Sequence, residues 1–430
     1  MVARLGSNPE LGVGPLPSET GSMIHPFRIT TLFTLSCLLA LLAACSALLR
    51  NPVPPEMTAE ATIPDMPEVR AWAGRVSSAM ERDFAQSFEQ ESLADFPPGA
   101  DGVVPYATLA LSGGGANGAF GAGFLNGWST SGSRPVFKIV TGVSTGAVMA
   151  PFAFLGPQYD AALREFYTTT TTRDLFDIGS ILSILISLLR GDSLADAGPL
   201  AALIARHVDA EFLRKIAEAH NRGRRLYIGT VDLDSQQFVV WNMGLIAASG
   251  RPGALDLFRK VMFASASVPI AFPPVFFKVE ADGRLYDEMH VDGAVAATVF
   301  LHGGVFRPSL IRERAGLGAG REDIFVIHNG QLHSDSSPTP RSLPGITARV
   351  IEASGRAGVV GALFMIFAFA RREQASFQWV TIPQGVEIPG TEVFDPVKMT
   401  ELYNVGYRTA LAGPVWTVDP PGLQEQPSPP

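Results

Sequence analysis

The sequence predicts an α/β fold, in which a mostly parallel sheet is flanked by helices. Three observations lead to it. An apolar run typical of a buried strand, Tyr106 to Leu111, breaks into glycines at 113–115. A helical pattern follows at 116–128, and a second strand pattern covers 136–141. A strand, a tight turn, a helix and a further strand in this order form the crossover unit from which parallel sheets are built.

Composition limits the classes of function. The chain has 430 residues, 47% of them hydrophobic, which is enough for a large folded core. Its 33 Lys and Arg stand against 41 Asp and Glu, so the net charge is −8 and we expect no nucleic-acid partner. Both cysteines, Cys37 and Cys45, lie near the N-terminus. We therefore expect neither structural disulfides nor a cysteine metal site in the folded body.

The N-terminal region has the pattern of a targeting segment. From Ile29 to Leu49 no residue is charged, and Arg28 stands just before this run. Leu42-Ala43-Ala44-Cys45 resembles the lipobox of bacterial lipoproteins, in which the cysteine is lipidated and the chain is cleaved before it. We predict a signal peptide over 1–44, with Met23 as a second candidate start, and lipidation of Cys45. An uncleaved transmembrane helix is the alternative.

The predicted anchor does not depend on charge. Removal of 1–44 takes away two Arg and two Glu, so the net charge stays at −8. Each buried methylene of an acyl chain contributes about 0.8 kcal/mol, so several acyl chains on Cys45 would hold the protein without a basic patch. Ser46 follows the cysteine where Asp would favour the inner membrane. We therefore expect a lipid-anchored protein of the bacterial cell envelope, at the outer membrane.

Composition changes along the chain predict its organisation. Prolines predict a semi-extended tether over 45–67, and charged, helix-compatible sequence predicts a helical extension over 68–102. The folded body is expected over 103–415, and a proline-rich, disordered tail over 416–430.

The remaining elements follow in order. We predict helices over 200–220, 255–264 and 399–412, strands over 285–291 and 324–329, and a hairpin that joins 225–230 to 238–242. Two uncharged segments, 178–189 and 359–370, are too short to span a bilayer. They are expected to be core helices, with a lipid-contacting role for both as the alternative.

A serine stands at a strand-to-helix turn. Gly142-Val143-Ser144-Thr145-Gly146 fits GxSxG, in which small residues on both sides expose the serine hydroxyl at the end of a strand. The motif alone is weak evidence, but the strand pattern before it and the helical pattern at 147–155 provide the expected context. Ser144 is therefore a candidate nucleophile, and the helix N-terminus would favour negative charge there.

A second glycine block, 113–118, lies between the first strand and its helix. Its backbone N–H groups are candidates for an oxyanion hole. The spacing also fits GxGxxG, but dinucleotide binding needs an acidic residue after the next strand, and no Asp or Glu occurs between 113 and 158. The oxyanion hole is therefore the favoured interpretation.

Together these motifs resemble the patatin-like phospholipase family. The resemblance rests on the glycine block 113–118, on GVSTG about 30 residues later, on the segment 264–274 (ASASVPIAFPP), and on Val291-Asp292-Gly293-Ala294. It implies a three-layer α/β/α fold and a Ser-Asp dyad. In that dyad Ser144 is the nucleophile and Asp292 its base.

The resemblance also implies an oxyanion hole formed by Gly113, Gly114 and Gly115 and a membrane lipid as substrate. We expect no metal, because backbone amides would stabilise the oxyanion, the body has no cysteine ligands and no two histidines stand four residues apart, and we expect no cofactor. Asn117 stands where the family commonly has Arg or Lys. A neutral amide there can donate a hydrogen bond but supplies no charge.

Some alternatives remain at this point. A carboxylate of ordinary pKa is a poor base for a hydroxyl, so Asp292 must be buried to act. An α/β-hydrolase triad of Ser144, an acid and His328 is the competing enzyme. The non-enzymatic alternative is a lipoprotein that kept the fold as a structural or interaction module. His290 shares a strand face with Asp292 and is expected to be structural, and 264–274 is expected to brace the site.

Overall fold

A computed structural model describes residues 50–175, 198–269, 271–317, 321–332, 338–388, 390–413 and 416–423. The predicted signal peptide, Cys45 and the apolar segment 178–189 lie outside these residues. The described chain contains a nine-stranded sheet in the order β1-β5-β4-β3-β2-β8-β9, with β7 joined to β4 and β6 to β7. The strands are β1 (Arg70–Trp72), β2 (Pro105–Leu111), β3 (Phe137–Gly142), β4 (Arg225–Asp232), β5 (Gln237–Asn242), β6 (Val275–Ala281), β7 (Arg284–Asp292), β8 (Arg321–His328) and β9 (Ser376–Thr381).

The sheet is mixed. Strands β9, β8, β2, β3 and β4 pair in parallel, as the crossover pattern predicts. The β1–β5, β4–β5, β4–β7 and β6–β7 pairings are antiparallel, because β4 and β5 form the predicted hairpin and β7 runs back against the end of β4, on the edge of β4 that also pairs with β3. The predicted α/β class is confirmed, and the parallel part is the part that contains the serine turn.

Helices cover both faces of the sheet. Alternate residues of β2 show this: Leu109 and Leu111 point into one apolar cluster, and Ala110 points into another on the opposite face. The described helices are α1 (Ser78–Glu89), α2 (Gly118–Thr130), α3 (Thr145–Leu155), α4 (Asp160–Thr169), α5 (Thr172–Leu175), α6 (Gly198–His207), α7 (Ala210–Asn221), α8 (Met243–Ala248), α9 (Ala254–Ser265), α10 (Pro308–Arg314), α11 (Leu343–Glu373) and α12 (Pro396–Leu411).

The expected tether is wrong for its described part, residues 50–67. Arg50 forms ion pairs with Asp234 and Asp287, at 2.6 and 2.7 Å. Further along, Ile63 and Met66 are buried in the main core. The apolar side chains between the prolines bind the segment to the β6–β7 hairpin, so only residues 46–49 separate Cys45 from the described body.

The boundary expected at residue 103 is also too late. β1 pairs with β5 and belongs to the main sheet. Of the expected helical extension only α1 is helical, and its Met80 and Phe84 are buried against the sheet. Residues 70–102 are therefore part of the folded body.

The expected disordered tail is wrong for 416–423. Trp416 packs its ring against Phe124, Trp128 and Phe325, with ring centroids about 5.1 Å apart in each case. The Thr417 N–H donates to the Trp379 carbonyl at 2.9 Å. The packing of the Trp416 ring therefore orders this segment despite its proline-rich composition.

Two helix predictions also change. The helix expected over 200–220 is broken into α6 and α7, because Asp209 caps α7 by accepting a hydrogen bond from the Phe212 N–H at 2.8 Å. The apolar segment 359–370 belongs to the 31-residue α11. Its part Glu352–Glu373 is long and apolar enough to cross a membrane, so the length argument against a span fails.

Candidate active site

Ser144 lies in a strained turn between β3 and α3. Its φ of +57° and ψ of −126° are rare for a residue with a side chain and cost on the order of 1–3 kcal/mol. Both glycines of the motif are required by space. A Cβ at Gly142 would collide with the Gly146 carbonyl, and one at Gly146 would collide with the Leu111 carbonyl. The predicted turn is therefore present at the carboxyl end of β3, but Ser144 is only 6% exposed, so the expected exposure of its hydroxyl is wrong in this conformation.

Asp292 is the last residue of β7, and its backbone pairs with Thr230 of β4. It is 2% exposed. Its Oδ1 accepts a hydrogen bond from the Ala294 N–H at 2.8 Å. Its Oδ2 is buried and has no hydrogen-bond partner among the described residues.

Burial raises the pKa of Asp292 to about 7, against the opposing effects of the Ser144 hydroxyl and the Ala294 N–H. The Ser144 hydroxyl is close enough to favour the charged carboxylate, although the two side chains do not form a regular hydrogen bond. Catalytic hydrogen bonds are often loose before substrate binds. The free Oδ2 is therefore available to accept a proton.

The segment at the end of α9 holds both candidate residues. Ser265 Oγ accepts the Ser144 N–H at 3.1 Å and donates to the Gly229 carbonyl at 2.6 Å. Two residues on, the Ser267 carbonyl accepts the Asp292 N–H at 2.9 Å. The bracing role expected for this motif thus has a specific form, in which one turn fixes the backbones of Ser144 and Asp292 relative to each other.

The glycine block lies against the serine. A Cβ at Gly113 would be 3.2 Å from Ser144 Cβ and 3.4 Å from Ala294 Cβ, so three predicted motifs converge. The Gly113 N–H, however, donates to the Thr298 carbonyl at 2.9 Å. The expectation that Gly113 donates to the oxyanion is therefore wrong in this conformation. Because Gly113 has no side chain, the loop can approach Ser144 closely.

Two other amides of the block are free. Gly114 and Gly115 have φ values of +156° and +56°, and among the described residues their N–H groups have no acceptor. Asn117 is half-buried and its backbone N–H donates to the Gly114 carbonyl at 3.1 Å, while its side chain makes no hydrogen bond within the described chain. The candidate oxyanion donors are thus Gly114 and Gly115, with the Asn117 amide nearby.

Sequence reasoning missed Asn329, which holds this loop from β8. Its N–H donates to Ser112 Oγ at 2.8 Å, its Nδ2 donates to the Ser112 carbonyl at 2.9 Å, and its Oδ1 accepts the Gly121 N–H at 3.1 Å. A Cβ at Gly114 would collide with the Asn329 carbonyl. The signal in the sequence is a polar residue directly after a buried parallel strand.

The described histidines are not assembled into a triad. His328 is buried, its Nδ1 is 2.9 Å from Thr381 Oγ1, and burial lowers its pKa to about 4. His290 lies between Thr230 and Glu288, and burial lowers its pKa too. Among the described residues no histidine hydrogen-bonds to Ser144 or Asp292. The structural role expected for His290 fits this arrangement.

Two surface cavities lie elsewhere. One of about 500 Å³ is lined by Glu60, Asp65 and Asp282, and one of about 490 Å³ by Arg164, Tyr403 and Tyr407. Neither is lined by Ser144 or Asp292. Within the described chain no group of three or more His, Cys, Asp or Glu side chains could hold a metal ion.

The fold and the serine turn define the class of protein, an α/β protein with a serine at a strand-to-helix turn. Residues 109–303 match the family model of patatin-like phospholipases. The match identifies a patatin-like phospholipase domain within the chain, and it supports lipid acyl hydrolase activity. No curated protein matches the chain.

Several solved structures are similar. VipD from Legionella pneumophila is 11% identical, with a TM-score of 0.35, over 74% of this chain and 69% of its own. ExoU from Pseudomonas aeruginosa, in its complex with SpcU, is 17% identical, with a TM-score of 0.32, over 74% of this chain and 52% of ExoU. Human GIVD cytosolic phospholipase A2 is 11% identical, with a TM-score of 0.33, over 80% and 63%. This chain therefore spans about half of ExoU.

Proposed function

We propose that the chain is a serine acyl hydrolase that cleaves ester bonds of phospholipids or other acyl lipids, with Ser144 and Asp292 as its catalytic dyad. The observation that carries the proposal is the Asp292 carboxyl group. It is buried beside Ser144, its pKa is raised to about 7, and its Oδ2 is unpartnered among the described residues. A base with a pKa near the working pH is the most effective acceptor for a hydroxyl proton.

The reaction has two halves. Ser144 Oγ attacks the ester carbonyl carbon while its proton passes to Asp292, and the oxyanion accepts hydrogen bonds from the Gly114 and Gly115 amides. The alcohol then leaves with the proton from Asp292 and an acyl-serine remains. In the second half Asp292 takes a proton from the water that attacks the acyl-serine, and it returns this proton to Ser144 Oγ as the fatty acid leaves. Each amide donor can contribute about 2.7–4 kcal/mol at the transition state.

Two alternatives have less support. A triad would need a histidine beside Ser144, whereas His290 is bonded to Thr230 and His328 to Thr381. A non-catalytic module would have no use for a strained serine or for a carboxylate buried at a cost in stability. Both features are typical of sites retained for chemistry.

The pH dependence of hydrolysis tests the proposal. Only ionised Asp292 can accept the serine proton, so kcat/KM for fatty acid release should rise with pH through about 7 and then level off. The measurement is titration of fatty acid released from mixed phospholipid vesicles and from a soluble short-chain ester. Excess chelator should leave the rate unchanged. A rate that is flat between pH 5 and 8, or that needs added Ca²⁺, would contradict the dyad.

We also propose that acylated Cys45 holds the enzyme at a membrane of the bacterial envelope. The support is the small-small-Cys pattern Ala43-Ala44-Cys45 after an uncharged run. Cys45→Ser should prevent lipidation and cleavage and leave a longer precursor. Mass spectrometry of the mature N-terminus measures this directly, and Cys37→Ser is the matched control. Unmodified Cys45 in a wild-type chain that still contains 29–44 would refute the anchor.

A further inference from the structure

Helix α11 is buried on one side only. Val359, Leu363, Ile366 and Ala370 pack into the cluster formed with Ile324 and Val326 of β8. Among the helix residues whose side chains the structure describes, none before Val359 is buried. Among the described side chains, those that pack on the sheet therefore lie in the C-terminal half of the helix.

The N-terminal half of α11 lies at the edge that contains Ser144. A Cβ at Gly358 would be 3.6 Å from the Thr298 side chain, and the Thr298 carbonyl binds the Gly113 N–H. β9 begins soon after the helix ends, with Ser376 opposite Asp323 near the start of β8, so α11 runs from the carboxyl edge of the sheet to its amino edge. At 1.5 Å per residue, residues 343–357 extend about 22 Å beyond Gly358.

An uncharged stripe follows the exposed side of this helix. We call it the α11 stripe. Its members are spaced three or four residues apart and all are exposed: Ile346, Val350, Ala353, Ala357, Gly361 and Phe364.

The charged residues of the same turns lie on another side of the helix. Glu352 and Arg356 stand seven residues before Val359 and Leu363, and so share the side that faces the sheet. Glu352 binds Arg349 at 3.2 Å and Arg356 at 2.6 Å, so one carboxylate pairs with both arginines and a single positive charge remains. In the N-terminal half of the helix the exposed apolar side is therefore separate from the charged side.

A continuous exposed apolar stripe of this kind marks a contact surface. The helix segment Glu352–Glu373 is long enough to cross a bilayer, and only 28% of it is buried. It cannot be surrounded by lipid, however, because its Val359 side is packed on the sheet. A helix with one side on a protein and an apolar side exposed fits the plane of a membrane interface instead.

We propose that the α11 stripe inserts into the surface of a lipid bilayer and holds the edge that contains Ser144 against it. Bilayer lipid as the occupant rests on the proposed function, because the stripe adjoins the candidate site and a lipid hydrolase must take its substrate from a membrane. The chain has a net charge of −8, and the arginines beside the stripe are paired with Glu352. Binding is therefore apolar, and it tolerates salt and zwitterionic lipid.

Local contact with lipid is tested without catalysis. In full-length Ser144→Ala protein, tryptophan is introduced by Val350→Trp or, as the control, by Leu93→Trp. Both native residues are strongly exposed, at 57% and 77%. Leu93 follows Glu91, which binds Lys138 near the start of β3, so it lies at the opposite edge of the sheet.

The readout is the fluorescence of the introduced tryptophan, taken as the difference from the Ser144→Ala parent. Phosphatidylcholine vesicles with brominated acyl chains should quench the tryptophan of the Val350→Trp variant, in low and high salt alike. The tryptophan of the Leu93→Trp variant should stay unquenched.

Activity provides the second readout. Val350→Glu should lower hydrolysis of phosphatidylcholine vesicles at least tenfold and leave hydrolysis of a soluble short-chain ester unchanged. Leu93→Glu should change neither rate. Equal quenching at both positions, no quenching at position 350, or full vesicle hydrolysis by Val350→Glu would overturn the inference.

Two further outcomes are distinguishable. A wild-type dimer that Val350→Glu converts to a monomer in sedimentation, without quenching at position 350, would mean that a second copy covers the stripe and would overturn the inference. Quenching at position 350 in a protein that hydrolyses neither substrate would support lipid docking and refute the proposed function alone.

Discussion

Ser144→Ala and Asp292→Asn are each expected to lower kcat/KM for a soluble ester at least about a thousandfold, and the double variant should lose little more. The reason is that the nucleophile and its base act in one step, so removal of either removes the same contribution. The measurement is the initial rate of each single variant and of the double variant at a pH above 7, where Asp292 is ionised.

The control for this experiment is Asp256→Asn, on the exposed side of α9, which should keep the wild-type rate. His328→Ala should also keep it, because His328 is bonded to Thr381. An Asp292→Asn variant that retains most activity, together with a His328→Ala variant that loses it, would replace the dyad by a histidine mechanism.

Asp292→Asn should at the same time make the protein more stable above pH 7. The Asp292 pKa is about 7 in the folded chain, and an unfolded Asp titrates near 3.9. Between these values the folded state keeps a proton that the unfolded state releases, so wild-type stability falls as pH rises from about 4 to 7. Asparagine is neutral in both states and avoids this loss.

The shift of about three pKa units corresponds to an upper value of about 4 kcal/mol. Thermal unfolding measures the difference between Asp292→Asn and wild type, which should be several degrees at pH 8 and much smaller at pH 5. Asp256→Asn should have no pH-dependent effect of this kind. A loss of stability for Asp292→Asn that is equal at pH 5 and pH 8 would mean that the carboxylate is not held at a cost.

Individual strands and turns could be predicted, because neighbouring residues determine them. The strand before Gly113, the hairpin of β4 and β5, and the turn at Ser144 each carry their signal in a few adjacent residues. Ser144 and Asp292 could be predicted because each stands in a motif with an expected structural context. Their proximity in the structure depends on the order of strands, which the motifs imply only jointly.

Long-range contacts could not be predicted in the same way. Gly113 was expected to donate to an oxyanion, and the Thr298 carbonyl that accepts its N–H comes from a loop far along the chain. Asn329 and Ser265 act through hydrogen bonds to backbone groups more than 100 residues away, so no pattern around either residue indicates the partner.

Composition was misleading at both ends of the body. Prolines favoured a free tether and a disordered tail, but Ile63, Met66 and Trp416 bind those segments to the core. A few apolar side chains with a complementary surface outweigh a proline-rich average, and that surface is visible only after the sheet is built.

The most direct test of the account is covalent labelling of the full-length protein by a lipid-like fluorophosphonate, with the modified residue identified by peptide mass spectrometry. If Ser144 and Asp292 form the dyad, we expect one adduct, on Ser144. It should form faster as the pH rises through about 7 and far more slowly in Asp292→Asn. Labelling of a different serine, or ester hydrolysis that continues after Ser144 is fully modified, would contradict it.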